Sequence, residues 1–150
     1  MRARSIVVAA VAVAAAAAGV GLVSCAGPQT APEWQRAQAR RNEITALWTQ
    51  IRDWRREAHM DVEPAQDAVV AMRGVSARAA GAVCPSAPES TACSEVCDLA
   101  DAICENMESI CDIAAQLGDD AWAKEKCDSA KASCKEAKER CCTCDRDAHE

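Results

Sequence analysis

Cysteine is the residue type in this chain best suited to chemistry, because two thiols can form a disulfide and several can bind a soft metal ion. Six of the 11 cysteines form two sets in which neighbours lie seven residues apart, with the sequence Leu-Gly-Asp-Asp between the sets. In an antiparallel helical hairpin that turns at Gly118, residues whose numbers add to the same total face each other. The spacing therefore predicts three disulfides, which are Cys97–Cys141, Cys104–Cys134 and Cys111–Cys127.

The outer cysteines extend the same pattern. Cys93 and Cys144 continue the helical stripes, so we expect them to form a fourth disulfide. Cys84 and Cys142 then remain, and a Cys84–Cys142 disulfide would tie the preceding segment to the hairpin. The spacing also allows the exchanged pairing, in which Cys93 bonds to Cys142 and Cys84 to Cys144.

The sequence also allows two other uses of these thiols. Cys93 and Cys97 lie one helical turn apart, and Cys141, Cys142 and Cys144 are clustered. With Met107 or His149 they could bind Cu(I) or Zn(II), and bacterial copper-storage bundles are similar in carrying cysteines along helices. However, thiols seven residues apart lie about 10 Å apart along a helix, so a single ion could not bridge them there.

A redox-enzyme interpretation is also possible. Cys141 and Cys144 are spaced as in a redox CxxC motif, which functions where a strand meets a helix. The helical patterning of this chain predicts no such strand, so we expect neither a redox enzyme nor a cofactor.

The segments around these cysteines predict an all-α fold. Residues 33–83 read as two amphipathic helices, the first running to about His59 and the second from Pro64 to Gly81. In the first, Trp34, Trp48 and Ile51 have the spacing of core residues. Residues 84–150 read as the cysteine-rich hairpin, in which Gly118 ends one helix and Asp119 or Asp120 caps the next. Alanines between the cysteines would let the two helices approach closely enough for disulfides.

The N-terminus has the features of an export signal. Arg2 and Arg4 precede an uncharged apolar run from Ile6 to Val23, which ends in Leu22-Val23-Ser24-Cys25. This ending resembles the lipobox of bacterial lipoproteins. The resemblance implies that residues 1–24 are removed, that Cys25 is lipidated, and that residues 25–32 tether the fold to the membrane. An uncleaved membrane anchor and plain signal cleavage are the alternatives.

The composition restricts the function. The net charge is −6, and loss of Arg2 and Arg4 with the leader would make it −8, which argues against nucleic acid as a partner. The chain has no Phe or Tyr, so alanine and cysteine must supply much of the core, and disulfides are the expected supplement. No Ser/His/Asp set, phosphate-binding loop or pair of catalytic carboxylates stands out.

The sequence therefore predicts a small helical bundle with a disulfide-linked hairpin. It is similar to cysteine-rich envelope lipoproteins, a resemblance that implies no activity. The expected role is structural or protein-binding, in the cell envelope, with the membrane contacted through Cys25 and with an unidentified protein partner. Ala26 in place of Asp implies that the inner-membrane retention signal of enteric lipoproteins is missing. The resemblance thus allows either the periplasmic face of the inner membrane or the outer membrane.

Overall fold

The computed structural model describes residues 31–81 and 91–147, and every regular element in these two ranges is an α-helix. This confirms the all-α prediction. The helices are α1 (Glu33–Glu57), α2 (Gln66–Ala71), α3 (Ala77–Ala80), α4 (Thr91–Gln116) and α5 (Ala121–Asp147). Arrangement of the two long cysteine-bearing helices as an antiparallel pair is also as predicted.

Helix α1 ends in a left-handed turn at His59. The backbone N–H of Met60 donates to the carbonyl oxygen of Arg55 at 2.8 Å, and that of His59 donates to Arg56 at 3.1 Å. These two bonds satisfy carbonyls that the helix end would otherwise leave unpaired. His59 has φ +54, a backbone conformation that glycine adopts at less cost than histidine.

The prediction of one continuous second helix is wrong, because the segment is broken into α2 and α3. Gly74 has φ +76, which is incompatible with a right-handed helix. Ser76 then starts a new helix, since its Oγ accepts a hydrogen bond from the backbone N–H of Ala79 at 3.3 Å. Of the apolar stripe that helical spacing predicts in this segment, Val69 and Met72 are buried, whereas Ala65 and Ala79 are exposed, so the prediction holds only for α2.

The turn between α4 and α5 has the predicted chemistry. Gly118 has φ +64, and its backbone N–H donates to Ala115 at 3.2 Å. Asp120 caps α5, because its Oδ1 accepts a hydrogen bond from the backbone N–H of Ala123 at 3.1 Å. A tight turn of this kind sets the two helices side by side.

Helix α1 packs across the hairpin, antiparallel to α4 and parallel to α5. Asn106 of α4 donates to Gln50 at 2.8 Å in the middle of α1, whereas Arg40 near the start of α1 donates to Gln116 at the end of α4. The main core lies among the three helices and contains Ile44, Trp48, Ile51, Ala100, Ile103, Cys104, Met107, Ile110, Ile113, Ala114, Ala123, Ala130, Cys134 and Ala137.

Helix α5 is covered on more than one side. Six consecutive residues, from Ser129 to Cys134, are buried, although successive residues of a helix point in different directions. The main core covers one face, and α2 and α3 cover another through a small cluster of Val69, Met72, Ala80 and Ala132. Helix α5 is therefore the central element of the described bundle.

Candidate functional site

Four disulfides join α4 to α5 along most of their length. They are Cys93–Cys144, Cys97–Cys141, Cys104–Cys134 and Cys111–Cys127. These are the four hairpin pairs that the sequence spacing predicts. The three inner disulfides have Cα–Cα distances of 4.7–4.8 Å, and the outermost has 5.6 Å. The hairpin is thus covalently fixed at regular intervals.

The pairing of the outer cysteines excludes one of the two disulfide schemes that the sequence allows. Cys93 is bonded to Cys144, so the exchanged scheme with Cys93–Cys142 and Cys84–Cys144 is wrong for this structure. Cys142 is exposed and is itself disulfide-bonded. Cys84, and with it one half of the predicted Cys84–Cys142 pair, lies outside the described residues.

Alanine allows the close approach that the disulfides require. Ala100 and Ala114 on α4, and Ala123, Ala130 and Ala137 on α5, are each at most 4% exposed. Larger side chains at these positions would push the helices apart, and disulfide geometry tolerates little separation of the Cα atoms. The alternation of cysteine and alanine is therefore what makes this interface possible.

Disulfide formation competes with the alternative use of these cysteines as ligands of a soft metal ion. Metal ions are bound by thiolates, whereas the sulfurs of the four disulfides are bonded to each other. Met107 is fully buried in the main core, and His149 lies outside the described residues. Within residues 31–81 and 91–147, no group of three or more His, Cys, Asp or Glu side chains is arranged to hold a metal ion.

Charge complementarity between the two hairpin helices is realised at one described pair. Lys138 of α5 forms an ion pair with Asp101 of α4. By contrast, Lys131 pairs with Asp128 within α5 itself. The other acidic side chains of α4 face solvent, including Glu95, Asp98, Glu105, Glu108 and Asp112. The acidic residues of α4 therefore lie mostly on its solvent-exposed side.

A buried arginine, which the sequence patterns did not predict, joins α1 to α5. Arg55 is 1% exposed, and its Nε donates to the carbonyl oxygen of Asp61 at 2.7 Å. Its Nη2 lies 2.8 Å from Oε2 of Glu136. Arg55 lies four residues after Ile51, so the helical spacing of the buried stripe was the available signal. A charged residue on that stripe does not look like a core residue.

This ion pair lines a cavity of about 380 Å³ between the α1–α2 connection and the end of α5. Asp61, Glu63, Glu139 and Arg140 also line it. Arg140 reaches across to donate to the carbonyl oxygen of His59 at 3.0 Å. The polar groups of this cavity thus hold the connection after α1 against α5.

Two carboxylates at the hairpin turn are stabilised in their ionised form. The backbone N–H of Ala123, and then the Arg41 guanidinium, hold the pKa of Asp120 below its ordinary value. Nε and Nη2 of Arg41 both lie 2.6 Å from Oδ2 of Asp120. The ammonium group of Lys124 similarly lowers the pKa of Asp119. Arg41 therefore fastens α1 to the turn of the hairpin.

The tryptophans of α1 differ sharply in burial, which corrects one expectation. Trp48 is 6% exposed, and the Lys126 ammonium lies 5.2 Å from its ring centroid, within range of a cation–π interaction. Trp34, predicted to pack in the core, is 69% exposed. The stripe continues through Trp34, but α4 ends at Gln116, opposite Arg40. The hairpin therefore ends before it can cover Trp34.

The predicted export segment, residues 1–24, and the lipidation site Cys25 lie outside the described residues. None of the described helices is both long enough and apolar enough to cross a bilayer. No protein-family model, curated protein or solved structure matches this chain.

Proposed function

We propose that this chain is an exported, lipid-anchored protein of the bacterial cell envelope with a structural or protein-binding role and no catalytic activity. The observation that carries the proposal is the set of four disulfides between α4 and α5. Structural disulfides persist in oxidising compartments and are rare in the cytosol. This agrees with the basic, apolar and Leu-Val-Ser-Cys sequence of the N-terminus.

The composition of the core explains why such a protein needs disulfides. Among the described residues, 11 of the 20 buried apolar side chains are Ala or Cys, which bury little surface each. Burial stabilises a fold by about 25 cal/mol per Å² of apolar surface, so a core of small side chains contributes little to the free energy of folding. The disulfides restrict the unfolded chain and so compensate.

The described polar contacts also favour a structural role. Arg55, Arg41 and Arg140 each join two elements of the bundle through carboxylates or backbone carbonyl oxygens. The guanidinium groups of these three arginines are therefore used to hold the helices together. A rigid, charged surface held at a membrane then remains as the part of the molecule that a partner would contact.

The proposal is tested by producing the full chain with its own leader in a bacterium that processes lipoproteins. We expect an intact mass that corresponds to residues 25–150 with acyl chains on Cys25, and ten hydrogens fewer than the fully reduced form. The Cys25→Ser variant should lack the acyl mass and leave the membrane fraction. An unacylated wild-type chain would contradict the anchor. Reduced thiols with stoichiometric copper or zinc would instead support the alternative role in metal binding or storage.

A further inference from the structure

The start of α1 extends beyond the end of the hairpin. Nη1 of Arg40 donates to the carbonyl oxygen of Gln116 at 3.4 Å, and Arg41 pairs with Asp120 in the turn. Trp34 lies six residues before Arg40, which corresponds to about 9 Å along a helix. The first two turns of α1 therefore form one end of the described bundle.

Trp34 is conspicuous at this end because the residue is 69% exposed. Exposing so large an apolar side chain to water forgoes the free energy of burying it. Tryptophan is enriched at membrane–water interfaces, where its ring contacts lipid and its N–H reaches polar groups. Its position thus suits a bilayer surface.

The charge around Trp34 suits an anionic surface. The first two turns of α1, residues 33–40, contain Arg36 and Arg40 against the single acid Glu33, in a chain whose net charge is −6. In the part of the chain that the structure describes, Arg41 pairs with Asp120, whereas Arg36 and Arg40 form no ion pair. Arg36, and the N–H groups of Arg40 that do not contact Gln116, are therefore available to lipid phosphates at this end.

The chain length places this end close to the bilayer, a step that rests on the proposed lipidation of Cys25. Seven residues, 26–32, separate Cys25 from α1. A fully extended segment of that length spans at most about 25 Å. An acylated Cys25 would thus keep Trp34 within reach of the headgroups at all times. Arg36 and Arg40 share one face of α1 and Trp34 lies on another, which fits an approach of the helix end rather than of one side.

We propose that the start of α1 docks on an anionic bilayer surface, with the Trp34 indole in the interface and Arg36 and Arg40 against lipid phosphates. The lipid anchor supplies attachment, and this contact supplies orientation. The start of α1 then faces the membrane, and Arg41 and Lys124 neutralise the nearby turn carboxylates Asp120 and Asp119.

Tryptophan quenching by brominated lipid tests the contact. Mature acylated protein is reconstituted into phosphatidylcholine–phosphatidylglycerol vesicles with bromines on the upper acyl chains. We expect quenching that falls in Trp34→Phe, with any remainder coming from Trp122 beside the hairpin turn. The matched control is Trp54→Phe, which changes a partly buried tryptophan about 30 Å further along α1 and should leave the quenching intact. Equal quenching in the two variants would overturn the proposal.

The electrostatic part has its own control. Arg36→Gln/Arg40→Gln should lower the ratio of docked to undocked protein by about five-fold per arginine in anionic vesicles. Arg73→Gln/Arg78→Gln removes the same charge from exposed positions after α2 and in α3, and should leave the ratio unchanged. A similar loss in both double variants would overturn the role of Arg36 and Arg40.

Vesicle flotation separates this inference from the proposed function. Protein that neither carries acyl chains nor floats with vesicles contradicts the anchor. Protein that floats but shows no Trp34-dependent quenching contradicts the docking alone. If Trp34→Phe instead abolishes a dimer, this end is an interface between two copies, and the bilayer proposal is overturned.

Discussion

Arg55 of α1 and Glu136 of α5 form an ion pair with an Nη2–Oε2 distance of 2.8 Å, and the arginine side chain is only 2% exposed. The same guanidinium donates to the backbone oxygen of Asp61, beyond the end of α1. One buried cation thus joins α1, the connection that follows it, and α5. Removing its carboxylate partner leaves a charge that water reaches poorly, which is costly in a folded protein.

We therefore expect Glu136→Ala to lower the free energy of unfolding by about 2 kcal/mol, measured by urea denaturation with the disulfides intact. This is less than the cost of breaking a fully buried pair, because Glu136 is 29% exposed. Glu63→Ala is the matched control, since the Arg52–Glu63 pair is exposed and should contribute about 0–1 kcal/mol. Equal effects of the two changes would show that burial of Arg55 does not matter.

Acid should destabilise the protein partly through Asp120. Its pKa is lowered in the folded state, so its contribution to stability is complete above the ordinary value of 3.8. The contribution is lost as the pH falls through that value to the lowered one. The urea midpoint should thus decline between about pH 5 and pH 2, and Asp120→Asn should make the decline shallower. Asp119→Asn should have a smaller effect, because the sole described partner of Asp119 is the exposed Lys124. An unchanged slope in Asp120→Asn would contradict this assignment.

The hairpin turn should be sensitive to a side chain at Gly118. This residue has φ +64, and an added Cβ would have no heavy atom within 4 Å, so only the backbone conformation opposes substitution. We expect Gly118→Ala to cost about 1–2 kcal/mol in thermal or urea unfolding. Gly81→Ala is the control, because Gly81 has φ −89 and its Cβ would meet Cys134 Sγ at an ordinary 3.7 Å. Gly81→Ala should be neutral or slightly stabilising.

Digestion without reduction should identify the disulfides directly. A protease that cleaves after Glu and Asp releases Cys104 in residues 102–105 and Cys134 in residues 129–136. We expect these two peptides to run as one mass that separates on reduction. Residues 109–112 and 126–128, which carry Cys111 and Cys127, should behave in the same way. Peptides 102–105 and 126–128 joined to each other would show a different register.

The hairpin was predictable because a disulfide is a strict geometric constraint. Cys104 and Cys134 can bond only if their Cα atoms come within about 7 Å, so the residue spacing alone selects the register. Gly118 and Asp120 then supplied an independent indication of the turn. The cysteine spacing and the turn residues predicted the same hairpin, and the structure has both the disulfides and the turn.

The packing of α1 and the break between α2 and α3 were less predictable, for reasons particular to each residue. Helical periodicity marks a face but does not reveal where the partner helix ends, so Trp34 looked like a core residue. It also does not assign a charged residue to a core, so Arg55 was overlooked. Gly74 and Ser76 gave a signal for the break, yet the stripe through Val69 and Met72 continued past it.

The outermost disulfide has a mechanical consequence. Cys93 and Cys144 are 51 positions apart in sequence, yet their Cα atoms are separated by only 5.6 Å. A pulling force applied between the start of α1 and the end of α5 would pass from one sulfur to the other and bypass the intervening chain. About 170 Å of contour length would thus stay unavailable under tension, and the hairpin would transmit the force without extending.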